Sequence, residues 1–588
     1  MKTRTTTTSA GRRPSWRSRV AAGALAVALP LLLAACGGGS SDDGEVRATH
    51  LGPVQGAFDL ASGTLAFKGI PYAKPPVGDL RWLPPQEPAA WTNARSATSF
   101  APACAQYGRI YGPGSNNRYD ETIGTTLNQA VGSEDCLYLN IWRPATSDRE
   151  LPVIVFFHGG SNVSGYTADP MYDGAALAKA ANAIVVTANF RVGILGFLTV
   201  PHLKTGDPAT DSGNFTMLDS IKALQFVRNN VRNFGGNPDN VTIMGQSAGA
   251  INVWALQTSP LMTAASPKLF HRTVPLSGGI SLASNLPAGS IPTLSPQSQY
   301  VAQGNALLQN LVIADGLATD VNSANVYISG RTTEQIRAYL RSKTPQQLFT
   351  TLLTRMPALA GSGPIPDGTV VAADPIGAIN AGNYVKVPVL AGNTRDEGKL
   401  FPSFLPLVGG SGNARIVTDA QLFSNHFSYK PDSPAQTTIE QWIAPSYLPA
   451  NAPTTGFTAR AEQLNRVFFL NSRDNVLNAL KTKQNDVWYY RFDWDEQPAP
   501  WNEIYGAVHV VDLPFIFGNF GPSLFSNVWF TTANRPGRLE LSAAMMQSLG
   551  TFARNGDPNT TALGVSWPTW PNKLVFDATP TTKAIRVE

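Results

Sequence analysis

Continuous apolar runs alternate with helical spacing along most of the chain. Pro152 to Phe157 (PVIVFF), Ala183 to Phe190 (AIVVTANF), Val241 to Met244 (VTIM), Val387 to Leu390 (VPVL) and Val487 to Trp494 (VWYYRFDW) read as strands. They lack the period-two exposure of a half-solvated strand, so each is expected to be covered on both faces. Between Asp219 and Phe234, Ile221, Leu224, Val227 and Val231 recur at three or four residues, which predicts a helix with one buried stripe. Further helical patterns run from Ala250 to Leu256 and from Leu539 to Phe552, the latter broken by Asn555-Gly556-Asp557-Pro558. Strands alternating with helices predict an α/β fold: a mostly parallel central sheet with helices on both faces. Residues 105–131, 281–300 and 401–455 are rich in Gly, Asn, Ser, Pro or Tyr and read as loops or insertions on that scaffold. No internal repeat of solenoid or propeller period is present.

Composition adds a targeting segment to this picture. Of 588 residues, 43% are hydrophobic and 14% charged, enough for a large core and too little charge for a disordered chain. Lys2, Arg4, Arg12, Arg13, Arg17 and Arg19 form a basic leader without acids, followed by an apolar run from Val20 to Ala35. That build matches a signal peptide and is short for a membrane span. Leu33-Ala34-Ala35-Cys36 resembles a bacterial lipobox, in which the signal is cut before a lipid-bearing cysteine. Gly37 to Ser41 then reads as a tether. The expected organisation is a signal peptide over 1–35, a lipidated Gly/Ser tether over 36–47 and a catalytic domain over 48–588. Export to a membrane-anchored site, at the outer membrane or cell surface, or secretion, follows from it.

Charge and cysteines change with the leader removed. Six of the 45 basic side chains precede Cys36, which leaves 39 against 40 acidic ones. The isoelectric point of about 9.0 therefore belongs largely to the leader and gives no support for nucleic-acid binding. With Cys36 assigned to lipid, Cys104 and Cys136 remain, and an oxidising compartment predicts a disulfide between them. Nothing in the chain sets an oligomeric state.

The candidate chemistry centres on Gly245-Gln246-Ser247-Ala248-Gly249, placed between the strand VTIM and the helix from Ala250. A serine on a tight strand-to-helix turn stands clear of the sheet, and small residues on both sides let the backbones approach. The helix N-terminus favours negative charge there. The pentapeptide alone is a weak signal; its strand–turn–helix setting strengthens it. A serine nucleophile needs a base, and histidine fits near neutral pH. Composition does not choose among His50, His158, His202, His271, His426 and His509.

Longer motifs make that choice. Phe67 to Gly78 (FKGIPYAKPPVG), Leu80-Arg81-Trp82, Ser133 to Asn140 (SEDCLYLN) and Asn233 to Ala250 (NFGGNPDNVTIMGQSAGA) stand in order along the chain. Together they resemble the type-B carboxylesterase and lipase family, the cholinesterase-like α/β hydrolases, from about Thr49 onward. The resemblance implies a serine carboxylic-ester hydrolase with a Ser–His–Glu triad. Asn393 to Gly398 (NTRDEG) matches the family's acidic motif and points to Glu397, with Asp396 its neighbouring rival. Gly506 to Phe515 (GAVHVVDLPF) matches the histidine motif and selects His509. Phe157-His158-Gly159-Gly160-Ser161 matches the oxyanion-hole glycines, which makes the amides of Gly160, Ser161 and Ala248 the expected donors. Arg81 and Glu134 match a structural salt bridge of the family.

Three departures stand out. Ser161 replaces the third glycine, and a positive φ there would strain it. Gln246 stands where the family usually has Glu, so a charge beside the serine is lost. No Trp lies between Cys104 and Cys136, which argues against a choline ester as substrate. The resemblance implies no metal or organic cofactor, and no zinc spacing, phosphate loop or dinucleotide fingerprint is present. The expected partners are small-molecule or polymeric esters and, through Cys36, a membrane. A polyester or polyurethane depolymerase, an amidase on the same scaffold, and a catalytically inactive binding protein are the rival readings.

Overall fold

The computed structural model of the protein describes residues 45–356 and 362–588. The segment read as a signal peptide, Cys36 and the Gly/Ser residues after it lie outside the described residues. Eleven strands form one sheet: β1 (Ala57–Asp59), β2 (Thr64–Pro71), β3 (Tyr138–Pro144), β4 (Leu151–Phe157), β5 (Ile184–Ala188), β6 (Gly236–Gln246), β7 (Arg272–Leu276), β8 (Val389–Thr394), β9 (Val487–Phe492), β10 (Leu574–Phe576) and β11 (Arg586–Val587). Their spatial order is β11-β10-β9-β8-β7-β6-β4-β5-β3-β2-β1. From β5 through β10 every pairing is parallel, whereas β1, β2, β3 and β11 pair antiparallel at the two edges. This is the mostly parallel α/β sheet expected from the apolar runs.

The interior strands show why those runs do not alternate. Every residue of β4 and of β5 is buried. Side-chain alternation instead divides two cores. Val153, Val155 and Phe157 of β4 pack in one, with α2 (Phe215–Asn230), α3 (Ala248–Thr258) and α7 (Asn471–Lys481). Ile154 and Phe156 pack in the other, with α1 (Ala175–Ala181) and α8 (Arg535–Asn555). Helices thus cover both faces, and burial of large aliphatic side chains at about 25 cal/mol per Å² supplies the main cohesion.

Two regions differ from their reading as loops. Asp419–Ser428 is a helix (α6), capped by Thr418 accepting from the Gln421 amide while the Gln421 side chain accepts from the Thr418 amide. The stretch 281–300 ends in the first turn of α4 (Gln297–Ala314), which opens a helical insertion closed by α5 (Pro345–Arg355). Strand β7 carries Pro275 as its next-to-last residue, which hid it from a periodicity reading, because proline removes a ladder donor.

Cys104 and Cys136 are joined by a disulfide with their Cα atoms 4.9 Å apart. Beside it Arg81 donates to both carboxylate oxygens of Glu134 at 2.6 Å, and a further N–H reaches the Lys343 carbonyl at 2.6 Å. That bidentate pair ties the disulfide loop to the helical insertion. Cys104→Ser with Cys136→Ser should lower unfolding free energy by about 3–4 kcal/mol, from loop-closure entropy alone. Urea unfolding would show it as a lower midpoint, and an unchanged midpoint would contradict the tie.

Candidate active site

All the residues singled out from sequence for ester chemistry lie past the C-terminal ends of parallel strands. The Gly159–Ser161 turn follows β4, Ser247 follows β6 and Glu397 follows β8. His509 lies on a long connection after β9. Open parallel sheets place their sites at this edge.

Ser247 sits at φ 58°, ψ −123°, between the last residue of β6 and the first of α3. This is a sparsely populated conformation for a residue with a side chain. Neighbouring backbone holds it: its amide donates to the Leu276 carbonyl at 2.8 Å, and the Ala250 amide donates to its carbonyl at 2.9 Å. The flanking glycines are sterically required. A Cβ on Gly245 would lie 2.3 Å from the Gly249 carbonyl oxygen, and one on Gly249 would lie 2.1 Å from that of Phe157. The Ser247 side chain is partly exposed, and its hydroxyl makes no hydrogen bond to another described residue.

Glu397 and His509 meet. Glu397 Oε2 accepts from His509 Nδ1, and both side chains are buried. Glu397 Oε1 accepts from Asn393 Nδ2 at 3.0 Å and from the Thr394 amide at 2.9 Å. Burial alone would push the Glu397 carboxyl up. The adjacent imidazole and the hydrogen bonds outweigh it and hold its pKa below the ordinary glutamate value. Asp396, the neighbouring rival, does other work. Its amide donates to the Ala507 carbonyl at 2.9 Å and its carboxylate accepts from the Ala507 amide at 3.0 Å, so it pins the segment that carries His509.

The far nitrogen of His509 meets a partner that the motifs did not assign. With Nδ1–H given to Glu397, Nε2 carries the lone pair, and the side-chain amide of Gln246 donates to it at 3.1 Å. Gln246 is buried and immediately precedes Ser247. The rings of Phe401 and Phe469 flank the imidazole at 5.1 and 5.2 Å between centroids. Phe469 is presented by a π-helical turn over Asn465–Leu470, a rare geometry often found at functional sites. Three residues past His509, burial pushes the Asp512 carboxyl up to about 6, and Tyr490 donates to it at 2.7 Å.

The amides of Gly160, Ser161 and Ala248 donate to no other described residue. Ser161 has φ 57°, so the conformation that sequence marked as strained is the one it adopts. Its side chain is exposed, which leaves the substitution of glycine a local backbone cost without a clash. His158 is buried, gives Nδ1–H to the Gly159 carbonyl at 2.8 Å and stacks on Phe190. Burial lowers its pKa to about 4, which leaves it a neutral turn-former. His426 is likewise buried and bonded to Tyr505. His50 binds Asn230 and Glu87 on a half-exposed surface, and His271 accepts from the Val241 amide. Among the described residues no group of three or more His, Cys, Asp or Glu side chains could hold a metal ion.

Known proteins match this arrangement along nearly the whole chain. A model of the carboxylesterase family covers residues 43–585. The para-nitrobenzyl esterase of Bacillus subtilis is 31% identical over 527 residues, covering 90% of this chain and 92% of its own. A fumonisin B1 esterase of Sphingopyxis macrogoltabida is 33% identical, covering 87% and 83%. Among solved structures, a PNB esterase superposes with a TM-score of 0.68 at 26% identity, covering 92% of this chain and 97% of that one. Carboxylesterase EST55 of Geobacillus stearothermophilus does so with 0.65 at 29% identity, covering 92% and 98%. Sequence and fold agree on one assignment: the chain belongs to the carboxylesterase family, and it is a carboxylesterase of the α/β-hydrolase fold.

Proposed function

We propose that the protein hydrolyses carboxylic esters through a Ser247–His509–Glu397 triad and an acyl-enzyme intermediate, on small to bulky apolar esters. The observation that carries this reading is the buried Glu397–His509 pair, whose free nitrogen reaches the residue next to Ser247. His509 Nε2 takes the Ser247 proton as the hydroxyl oxygen attacks the ester carbonyl. Glu397 fixes the tautomer and stabilises the imidazolium that forms. The amides of Gly160, Ser161 and Ala248 hold the oxyanion, each worth about 3–4 kcal/mol in the transition state. His509 then protonates the leaving alcohol. Water, deprotonated by the same imidazole, attacks the acyl carbonyl, and the imidazolium returns that proton to Ser247 Oγ as its bond to the acyl carbon breaks.

Gln246 shapes the first step. Its N–H can bond only the neutral imidazole, and it must yield Nε2 to the Ser247 hydroxyl as attack begins. A glutamate at this position would favour the imidazolium instead.

The reading also includes export and lipid attachment at Cys36. It follows from the basic leader, the apolar run and the small residues before that cysteine.

Ser247→Ala should abolish 4-nitrophenyl ester hydrolysis with the fold intact by circular dichroism. His509→Ala should lower kcat about 10⁴-fold or more, and Glu397→Gln by a comparable factor. Wild-type turnover in any of the three would overturn the triad. Gln246→Glu should move the acid limb of the kcat/KM profile to higher pH, whereas a merely structural role would leave that limb in place. Mass spectrometry of the mature N-terminus should find diacylglycerol on Cys36; an unmodified start at another residue would exclude the anchor.

A further inference from the structure

We infer that the preferred esters carry a free carboxylate on one arm, bound by Arg109 in a cavity beside the oxyanion amides. The inference deepens the proposed ester hydrolysis and rests on it.

A cavity of about 250 Å³ has Val163, three residues after Gly160, in its wall. Its walls are mainly apolar, with Leu307, Phe349 and Val163 among them, and among the described residues no Asp or Glu lines it. Its distance from the reaction is set by backbone. The Val163 and Ser164 amides both donate to the Gly160 carbonyl, at 3.0 and 3.1 Å, so the chain folds back at once after the oxyanion residues. In such a turn the first and fourth Cα atoms lie within about 7 Å, so the Val163 wall stands one turn from the oxyanion donors. The Gly193 amide, from another wall, donates to the Asn162 carbonyl at 2.6 Å and locks the two together.

Among the described residues, Arg109 is the one charged side chain lining this space. Two buried arginines nearby are matched by carboxylates. Arg81 has Glu134 and Arg191 has Asp219, each bidentate. Arg109 is half-buried, and among the described residues it has no carboxylate partner and no side-chain hydrogen bond. Its guanidinium lies over the Tyr107 ring, 5.0 Å from the centroid, which orients the planar fork and leaves its N–H edge unused. A cation held at an apolar wall with no counter-charge strongly favours an anion that brings two oxygens. A volume equal to about eight waters admits a short chain ending in a carboxylate. Phosphate or sulfate monoesters lack the carbonyl that the oxyanion amides require.

The carboxylate could sit on the acyl or the alcohol side, and two substrate pairs separate these. Mono-4-nitrophenyl glutarate and neutral 4-nitrophenyl hexanoate test the acyl arm. 4-Acetoxybenzoate and 4-methylphenyl acetate, followed by pH-stat, test the alcohol arm. On one arm Arg109→Met should lower kcat/KM for the anionic ester about 10–100-fold and for its neutral partner less than about threefold. Arg109→Lys should recover part of the loss, and added salt should weaken only the anionic reaction. Equal changes on both members of each pair, or no change on either, would overturn the inference while leaving ester hydrolysis standing. Absence of turnover on all four esters would overturn the hydrolase reading and this one with it.

Discussion

Everything at this site depends on a backbone bent against its own preference at Ser247. A residue with a side chain at φ 58°, ψ −123° costs on the order of 1–3 kcal/mol. It persists only where surrounding structure over-determines it. The parallel register of β6 against β4 and β7 does this on two sides, and the helix α3 starts within one residue on the third. The strain is not isolated. Ser161, Ser277 and Val510 also hold positive φ, at 57°, 54° and 78°. One follows β4, one follows β7 and one follows His509 directly. For valine, whose branched Cβ crowds the backbone, such a φ is a true outlier. The rigid sheet therefore carries several local costs at one edge, and the large two-layer core offsets them.

Two buried pairs near the site follow one rule: each charge has its counterpart in contact. Arg191 and Asp219 pair by two hydrogen bonds at 2.8 and 2.7 Å with almost no exposure. Such a pair gives little net stability, but removing one partner strands the other. The Glu397–His509 pair obeys the same rule with one difference. Its cationic member is charged only after a proton arrives, so the carboxylate stands ready for a charge that chemistry creates. Asp396 supports this indirectly by clasping the Ala507 peptide from both sides. Two adjacent acids thus divide the labour, one holding the segment and one facing the ring.

The local parts of this design were legible in the residues. Gly245 to Gly249 are contiguous, and their sizes report a steric requirement that the close carbonyl approaches bear out. The apolar runs located the buried strands for the same reason: burial on both faces is written into each segment. Glu397 and His509 are 112 residues apart and meet only because β8 and β9 lie side by side. No periodicity carries that information, so motif resemblance had to supply it. It also placed Asp396 and Glu397 together without separating them; only the register between the Asp396 and Ala507 peptides does so. The helix Asp419–Ser428 was hidden by the Pro, Ser and Gly around it, although Thr418 and Gln421 stand at capping-box spacing. The contact of Gln246 with His509 was legible only as a departure from the expected glutamate.

That departure bears on which esters the site admits. A carboxylate at position 246 would sit within hydrogen-bond reach of the base and add a second negative charge beside Glu397. An incoming anionic ester would then meet repulsion near the serine that Arg109 would have to overcome. With an amide there, the carboxylate in contact with the ring is that of Glu397, on the Nδ1 side away from Nε2. The neutral Gln246 before Ser247 and the Arg109 guanidinium across the Gly160–Val163 turn act in the same direction. Both lower the electrostatic barrier to a negatively charged substrate, one by omitting a charge and the other by supplying its opposite. An apolar cavity alone would select for chain length; an apolar cavity with one cation at its wall selects for where the chain ends.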